Sequence, residues 1–184
     1  MYEVEVKARL KDREAVMKKL QDLGCKFSEE LYQLDFVFIP KNLPFPPPLG
    51  TNVLRVRKQN SKSIFNLKIP QKSRQDCIEY EFEISDGDQM IEVIKLLDYK
   101  SVPTVEKLRI KTNFKDMEIV LDDVKLLGEF IEVEKIVIHE DYEDRKKIRE
   151  ELFDFLDLLG VPKEDRILDG KYDIMLYEKM KNKI

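Results

Sequence analysis

Tyr2-Glu3-Val4-Glu5-Val6-Lys7-Ala8-Arg9 alternates strictly between charged and apolar side chains. Successive side chains of a β-strand point to opposite faces, so Glu3, Glu5, Lys7 and Arg9 share one face and Val4, Val6 and Ala8 the other. The division recurs along the chain. Arg55 and Arg57 alternate with Leu54 and Val56, and Lys68 stands between Leu67 and Ile69. Glu79, Glu81 and Glu83 alternate with Ile78, Tyr80, Phe82 and Ile84. Lys107, Arg109 and Lys111 flank Leu108 and Ile110, Glu118 and Asp122 share a parity, and Glu132 and Glu134 flank Val133.

A half-buried antiparallel strand ordinarily shows a polar face to water, which accounts for any one of these strands. It accounts poorly for the set, because Glu, Lys and Asp are depleted in strands while here nearly every such position is charged. The signs are also sorted by strand. Like charges two residues apart on one face repel unless something multivalent neutralises them. Turning the sheet inside out removes the difficulty: charged faces line an interior, and apolar faces look outward to be covered by helices.

Period-two segments fall at about 1–10, 31–39, 51–59, 63–70, 77–85, 105–114, 116–123 and 126–138. The connections 60–62 and 113–116 read as turns, and short connections make antiparallel neighbours. Amphipathic helices are expected over 13–23 (capped by Asp12, ended at Gly24), from Asp86 or Asp88 to 97, and over 142–159 (ended by Gly160-Val161-Pro162). A short helix is expected over 173–181, either packing on the sheet or capping one mouth of the interior. The expected fold is therefore α+β: an eight-stranded antiparallel β-barrel, a tunnel with a charged interior, flanked by amphipathic helices. Residues 40–50, Pro-Lys-Asn-Leu-Pro-Phe-Pro-Pro-Pro-Leu-Gly, are expected to form an irregular, partly polyproline-like loop, because Pro cannot donate in a sheet. They read as a stiff connection between strands, with a lid or a docking peptide as alternatives.

The chain has 184 residues, with 33 Lys+Arg and 37 Asp+Glu, a formal charge of −4. It reads as one domain over 1–184. One His, His139, nearly excludes His-based metal sites and a Ser-His-Asp triad; it reads as surface or structural. Two Cys, Cys25 and Cys77, make neither a disulfide framework nor a zinc cluster. No apolar run or signal peptide suggests a membrane, and the acidic total argues against nucleic acid, so a cytoplasmic protein is expected. Clustered carboxylates suit a hard divalent cation, Mg²⁺ or Mn²⁺, and grouped Arg and Lys suit phosphate. Together they describe a site for a metal–polyphosphate complex, with no P-loop or GxGxxG turn present.

The sequence resembles the CYTH superfamily, the triphosphate tunnel metalloenzymes. Glu3-Val4-Glu5-Val6-Lys7 matches its ExExK signature. Tyr32-Gln33-Leu34-Asp35-Phe36, Leu54-Arg55-Val56-Arg57, Asn66-Leu67-Lys68, Glu79-Tyr80-Glu81 and Lys107-Leu108-Arg109 resemble successive strands of that family. Asp122, followed by Leu127-Gly128-Glu129-Phe130-Ile131-Glu132-Val133-Glu134 and then Lys171-Tyr172, completes the order. Two departures are Cys77, where an Arg usually stands, and Ile69 after the central Lys68.

The resemblance implies that Glu3, Glu5, Asp122, Glu132 and Glu134 hold a metal. It implies that Lys7, Arg55, Arg57, Lys68, Lys107, Arg109 and Lys171 bind phosphates, and that Glu79 and Glu81 form a supporting acidic wall. Glu5, Lys7, Lys107 and Glu134 would stand nearest the chemistry. It also implies Mg²⁺ or Mn²⁺, ATP or another triphosphate as substrate, and a homodimer. The branch it resembles most is the class IV adenylate cyclases, which convert ATP to cyclic AMP and pyrophosphate. The alternatives are a triphosphatase acting on inorganic, thiamine or nucleoside triphosphate, and a non-catalytic polyphosphate-binding module.

Overall fold

The computed structural model describes residues 2–138 and 141–182; His139 lies outside them. Eight long strands are β1 (Tyr2–Arg9), β2 (Leu31–Pro40), β3 (Val53–Gln59), β4 (Lys62–Ser73), β5 (Asp76–Ile84), β7 (Val105–Phe114), β8 (Met117–Val124) and β9 (Gly128–Val137). Two short ones, β6 (Tyr99–Ser101) and β10 (Arg166–Ile167), carry too few residues to show alternation and escape a reading by period. The helices are α1 (Arg13–Asp22), α2 (Gly87–Leu96), α3 (Tyr142–Leu158) and α4 (Tyr172–Lys181).

Local chemistry sets the helix ends. The Asp12 carboxylate accepts from Ala15 N at 2.9 Å, Asp86 from Gln89 N at 2.9 Å and Asp141 from Glu143 N at 2.7 Å, each satisfying a donor that the first helical turn leaves free. Gly24 and Gly160 follow α1 and α3 at φ of +85° and +75°, the left-handed conformation that suits glycine.

The expected closed eight-stranded barrel is corrected. The sheet has ten strands in the order β10-β1-β5-β4-β3-β2-β7-β8-β9, with β6 beside β2. The eight long strands make a ring, because β1 pairs with β9 along its whole length, Tyr2 with Val137 through Arg9 with Phe130. On its other side β1 meets β5 over only three residues, Tyr2–Ile78, Glu3–Cys77 and Val4–Asp76. The register shift between Pro70 and Ser73 turns the β4–β5 hairpin away, and β10 takes the β1 edge at Lys7 and Ala8. The sheet is ring-shaped without closing into a barrel.

The outward apolar faces are covered as expected. Val16 and Leu20 of α1 and Ile148, Leu152, Phe155 and Leu156 of α3 pack on Val4, Val6, Ile119, Leu121, Ile131 and Val133. Ile91 and Ile94 of α2 cover Phe38, Leu54 and Val56. The Arg145 guanidinium donates to both oxygens of Asp76 at 2.7 and 3.1 Å, tying α3 to the start of β5. Helix α4 sits at one end of the ring, where Tyr172 and Leu176 pack with Val105, Val124 and Phe130. Residues 41–49 lie beside it, with Phe45 edge-on to Tyr177 at 5.0 Å between ring centroids. No described helix is long and apolar enough to cross a membrane.

Candidate functional site

The inward faces enclose a cavity of about 550 Å³. Its wall includes Glu3, Glu5, Lys7, Arg55, Arg57, Lys68, Glu79, Glu81, Lys107, Arg109, Glu132, Glu134 and Lys171. Strand alternation puts them there, and pairing sets their heights. Glu5 lies opposite Glu134, Lys7 opposite Glu132, Arg57 opposite Asp35, Arg109 opposite Asp122 and Lys68 opposite Glu79.

One part of the wall is a network of closed ion pairs. Arg57 donates to both oxygens of Asp35 at 2.7 and 2.9 Å. Arg109 donates to Asp122 at 2.7 and 2.5 Å and to Glu132 at 2.7 Å, and Lys7 Nζ lies 2.8 Å from Glu132. Lys107 approaches Asp35 at 3.4 Å and Asp122 at 3.7 Å. All seven side chains are buried. Burial alone would raise the Glu132 carboxyl, but Lys7 and Arg109 outweigh it and hold the group well below its ordinary range. Asp35 behaves alike, held down against burial by Arg57, Lys107 and Arg55. Burial, reinforced by the Arg109 charge, lowers Lys107 to about 8 against the pull of Asp35 and Asp122.

The other part is crowded with carboxylates. Oxygens of Glu3, Glu5 and Glu134 lie within 4.8 Å of one another. Lys68 Nζ stands 2.5 Å from Glu3 and 3.2 Å from Glu79, and Lys171 Nζ 2.5 Å from Glu5. Among the described residues Glu134 forms no ion pair. Burial and the adjacent Glu3 charge push its carboxyl well above the ordinary range, with Lys68 and Arg109 pulling back only in part. Three carboxylates converging in a buried space are an oxygen-donor set of the kind hard divalent cations take, and such a cation would relieve this repulsion.

The sequence-predicted set, apart from the fully buried Asp122, lines one cavity but divides in two. Glu3, Glu5 and Glu134 converge, whereas Asp122 and Glu132 are engaged by Arg109 and Lys7 and stand outside that cluster. Glu79 and Glu81 flank Asn66, whose side-chain amide donates to both.

Asp35, Asn66, Tyr172 and Cys77 are among the wall residues to which the sequence assigned no role. Asp35 and Asn66 share the parity of their strands' inward faces, which was the available signal. Tyr172 lies 3.9 Å below Lys7 Nζ, ring centroid to cation, and 5.2 Å from Lys107; its place beside Lys171 is the only hint in the sequence. Cys77 is buried opposite Glu3, and burial pushes its thiol up to about 11, so it lines the wall as a neutral side chain.

Comparison with known proteins identifies the family. The model of the CYTH domain matches residues 1–170. The chain belongs to the CYTH family. This CYTH chain is 31% identical over 169 residues to "Putative adenylate cyclase MJ0240" of Methanocaldococcus jannaschii, covering 91% of this chain and 94% of that one. The solved structure of PH1012 from Pyrococcus horikoshii superposes with a TM-score of 0.76 at 32% identity, over 95% of this chain and 98% of that one. A Hippeastrum protein, described as a putative adenylyl cyclase with a dominant triphosphatase activity, shares the fold at a TM-score of 0.60 and 17% identity, over 98% and 96% of the two chains.

Proposed function

We propose that this CYTH chain is a metal-dependent enzyme acting on a triphosphate, with ATP cyclisation to cyclic AMP and pyrophosphate as its reaction. The observation that carries the reading is the crowded cluster Glu3, Glu5 and Glu134, which Lys68 and Lys171 contact at Glu3 and Glu5 and which shares one cavity with Arg55. Unlike the Arg57–Asp35 and Arg109–Asp122 pairs, this cluster is left unbalanced: Lys68 and Lys171 meet Glu3 and Glu5, while Glu134 forms no ion pair among the described residues. A Mg²⁺ or Mn²⁺ ion held by Glu3, Glu5 and Glu134 would supply positive charge to polyphosphate oxygens.

The chain's own residues do the rest. Lys7, Lys68, Lys171, Arg55, Arg57, Lys107 and Arg109 present positive charge to phosphate oxygens, Arg57 and Arg109 while their Nε and Nη2 stay on Asp35 and Asp122. Asp35, Asp122 and Glu132 fix the cations that face the substrate. Phosphoryl-type chemistry rests mainly on positioning and charge stabilisation, and needs no His and no covalent nucleophile. In cyclisation the ribose 3′-oxygen attacks the α-phosphorus, and the basic residues stabilise the departing pyrophosphate. Support for the cyclase reaction comes from the name of the M. jannaschii relative. Hydrolysis of the terminal phosphate by water is the second reading, favoured by the description of the Hippeastrum protein on the same fold.

Product analysis decides. ATP and inorganic triphosphate are each incubated with the protein and Mg²⁺ or Mn²⁺. Cyclic AMP with pyrophosphate from ATP is expected; ADP with phosphate, or turnover of inorganic triphosphate alone, selects the triphosphatase. Turnover of neither overturns both reactions.

A further inference from the structure

The carboxylate cluster lies beside the shortest seam between the long strands. β1 pairs with β9 along its whole length, so Glu5 and Glu134 are fixed opposite each other. With β5 it pairs over only three residues, and Glu3 stands there opposite Cys77. The ammonium that meets Glu3 comes from across this short seam. Lys68 of β4, opposite Glu79 of β5, lies 2.5 Å from Glu3 and 3.2 Å from Glu79. Any slide or tilt of the β4–β5 hairpin against β1 therefore moves Lys68 and Glu79 relative to Glu3.

Arg145 of α3 spans that seam from outside the ring. Its guanidinium donates to both oxygens of Asp76 at 2.7 and 3.1 Å and lies 4.1 Å from the centroid of the Tyr2 ring. Tyr2 belongs to β1 and Asp76 to β5, and they stand at opposite ends of the three-residue ladder. Arg145 and Asp76 are both buried. One helical turn on, Arg149 donates to the Ser73 hydroxyl at 3.3 Å, so α3 holds both sides of the β4–β5 turn. Within that turn the Gln75 carbonyl accepts from Glu5 N at 3.0 Å. A buried ion pair often gives no net stability over apolar residues of similar size, whereas a bidentate guanidinium–carboxylate pair fixes distance and direction together.

We propose that Arg145 is a positioning residue for the metal cluster: it staples Tyr2 of β1 to Asp76 of β5 and thereby sets where Glu3 stands against Lys68, Glu5 and Glu134. Arg145 is not a wall residue of the cavity and acts only through the strands it joins. The inference deepens the metal reading of that cluster and rests on it. What the staple controls is the donor geometry offered to a hard divalent cation, to which both affinity and turnover are sensitive.

The test is titration of the full chain with Mn²⁺ alone, the free ion read by electron paramagnetic resonance, beside thermal melts in EDTA. Arg145→Gln should raise the Mn²⁺ Kd by about tenfold. Arg145→Lys keeps the charge but lacks the planar fork that meets both strands, so its Kd should lie between. Asp76→Asn should weaken binding much as Arg145→Gln does, and the double variant should bind no more weakly than either, because both act through one contact. Leu152→Ala opens a cavity in the core beneath the same helix; it should lower the thermal midpoint at least as far and leave the Mn²⁺ Kd in place. Where Arg145→Gln fails to fold, Arg145→Lys and Asp76→Asn decide. A wild-type Kd in every folded variant of the pair overturns the positioning role while the metal reading stands. So does a Kd that follows the thermal midpoint and rises in Leu152→Ala as well, since the pair would then be structural only. Wild-type protein that binds no Mn²⁺ overturns the metal reading and the positioning role together.

Discussion

Two regions of the same cavity are built from the same residue types and differ in how their charges are met. Around Arg109 each carboxylate has a cation at hydrogen-bonding distance: Asp122 and Glu132 share Arg109, Glu132 also meets Lys7, and Asp35 is clasped by Arg57. Around Glu134, three carboxylates converge while Lys68 and Lys171 reach only two of them. The first region is electrostatically complete without a ligand, whereas the second leaves carboxylate charge for something else to neutralise. Net composition cannot show this difference, because both regions contribute to the same near-balanced total of −4.

The largest expected effect breaks the second region. Glu5→Ala and Glu134→Ala each remove an oxygen donor from the cluster and should lower metal-dependent turnover by about 100-fold or more. The metal-free thermal midpoint of Glu134→Ala should not fall as a buried ion-pair loss would require, since Glu134 forms no ion pair among the described residues. The checks are steady-state rates with Mg²⁺ or Mn²⁺ and thermal melts in EDTA. Wild-type rates in both variants would falsify the metal assignment.

Breaking the first region should instead cost the fold. Asp122→Ala leaves the buried Arg109 guanidinium with one carboxylate where it had two, and should destabilise the protein by about 3–5 kcal/mol. Denaturant unfolding measures this directly. A loss below about 1 kcal/mol, the size of an exposed pair, would show that the closed network is not structural.

How much of this was legible follows from the same physics. Strand alternation is local, so Glu3, Glu5, Lys7, Arg55, Arg57, Lys107, Arg109, Glu132 and Glu134 could all be placed on inward faces from the sequence. Caps are local too, and Asp12 and Asp86 were readable. Which cation meets which carboxylate depends on register between strands far apart in the chain, such as Lys7 of β1 against Glu132 of β9 or Lys68 of β4 against Glu3 of β1, and no single segment encodes it. The ring's failure to close was hidden for a related reason. It depends on a register shift near Pro70 and on the two-residue strand β10, neither of which has a period to detect.

The two regions should also respond to pH with opposite sign. The Glu134 carboxyl is raised above its unfolded value by burial and Glu3, so between those values the native state holds a proton that the unfolded state has released. Metal-free stability should therefore fall as pH rises through that window, at a limiting slope of about 1.4 kcal/mol per pH unit for one proton. The Glu132 carboxyl is depressed, chiefly by Lys7 once burial is outweighed, so its contribution is present above the ordinary carboxylate range and is lost as pH falls through its lowered value. Glu134→Gln should flatten the descent on the alkaline side and Glu132→Gln the descent on the acid side. Unfolding free energies from pH 3 to 8 in EDTA test this; matching profiles for the two variants would erase the distinction between the regions.

The smallest effect sharpens the comparison at the one cation that the closed network leaves weakly held. Lys107 is paired no closer than 3.4 Å and is brought to about 8 by burial and the Arg109 charge. Its ammonium is therefore mostly present at pH 7 and mostly lost by pH 9 in the unliganded protein. A phosphate oxygen brought near it favours the charged form, so once pH exceeds about 8 binding requires the Lys107 amine to take up a proton. Affinity for inorganic triphosphate should then fall by about tenfold between pH 7 and 9, the worth of one charge-assisted hydrogen bond. Lys107→Met should bind more weakly at pH 7 and lose that part of the decline. Other lysines of the wall, such as Lys68, are held well above their ordinary value by Glu3, Glu79 and Glu5 against burial, and so stay charged across the same interval. A decline of equal size in Lys107→Met would assign it to a different group and show that Lys107 makes no contact with the phosphate chain.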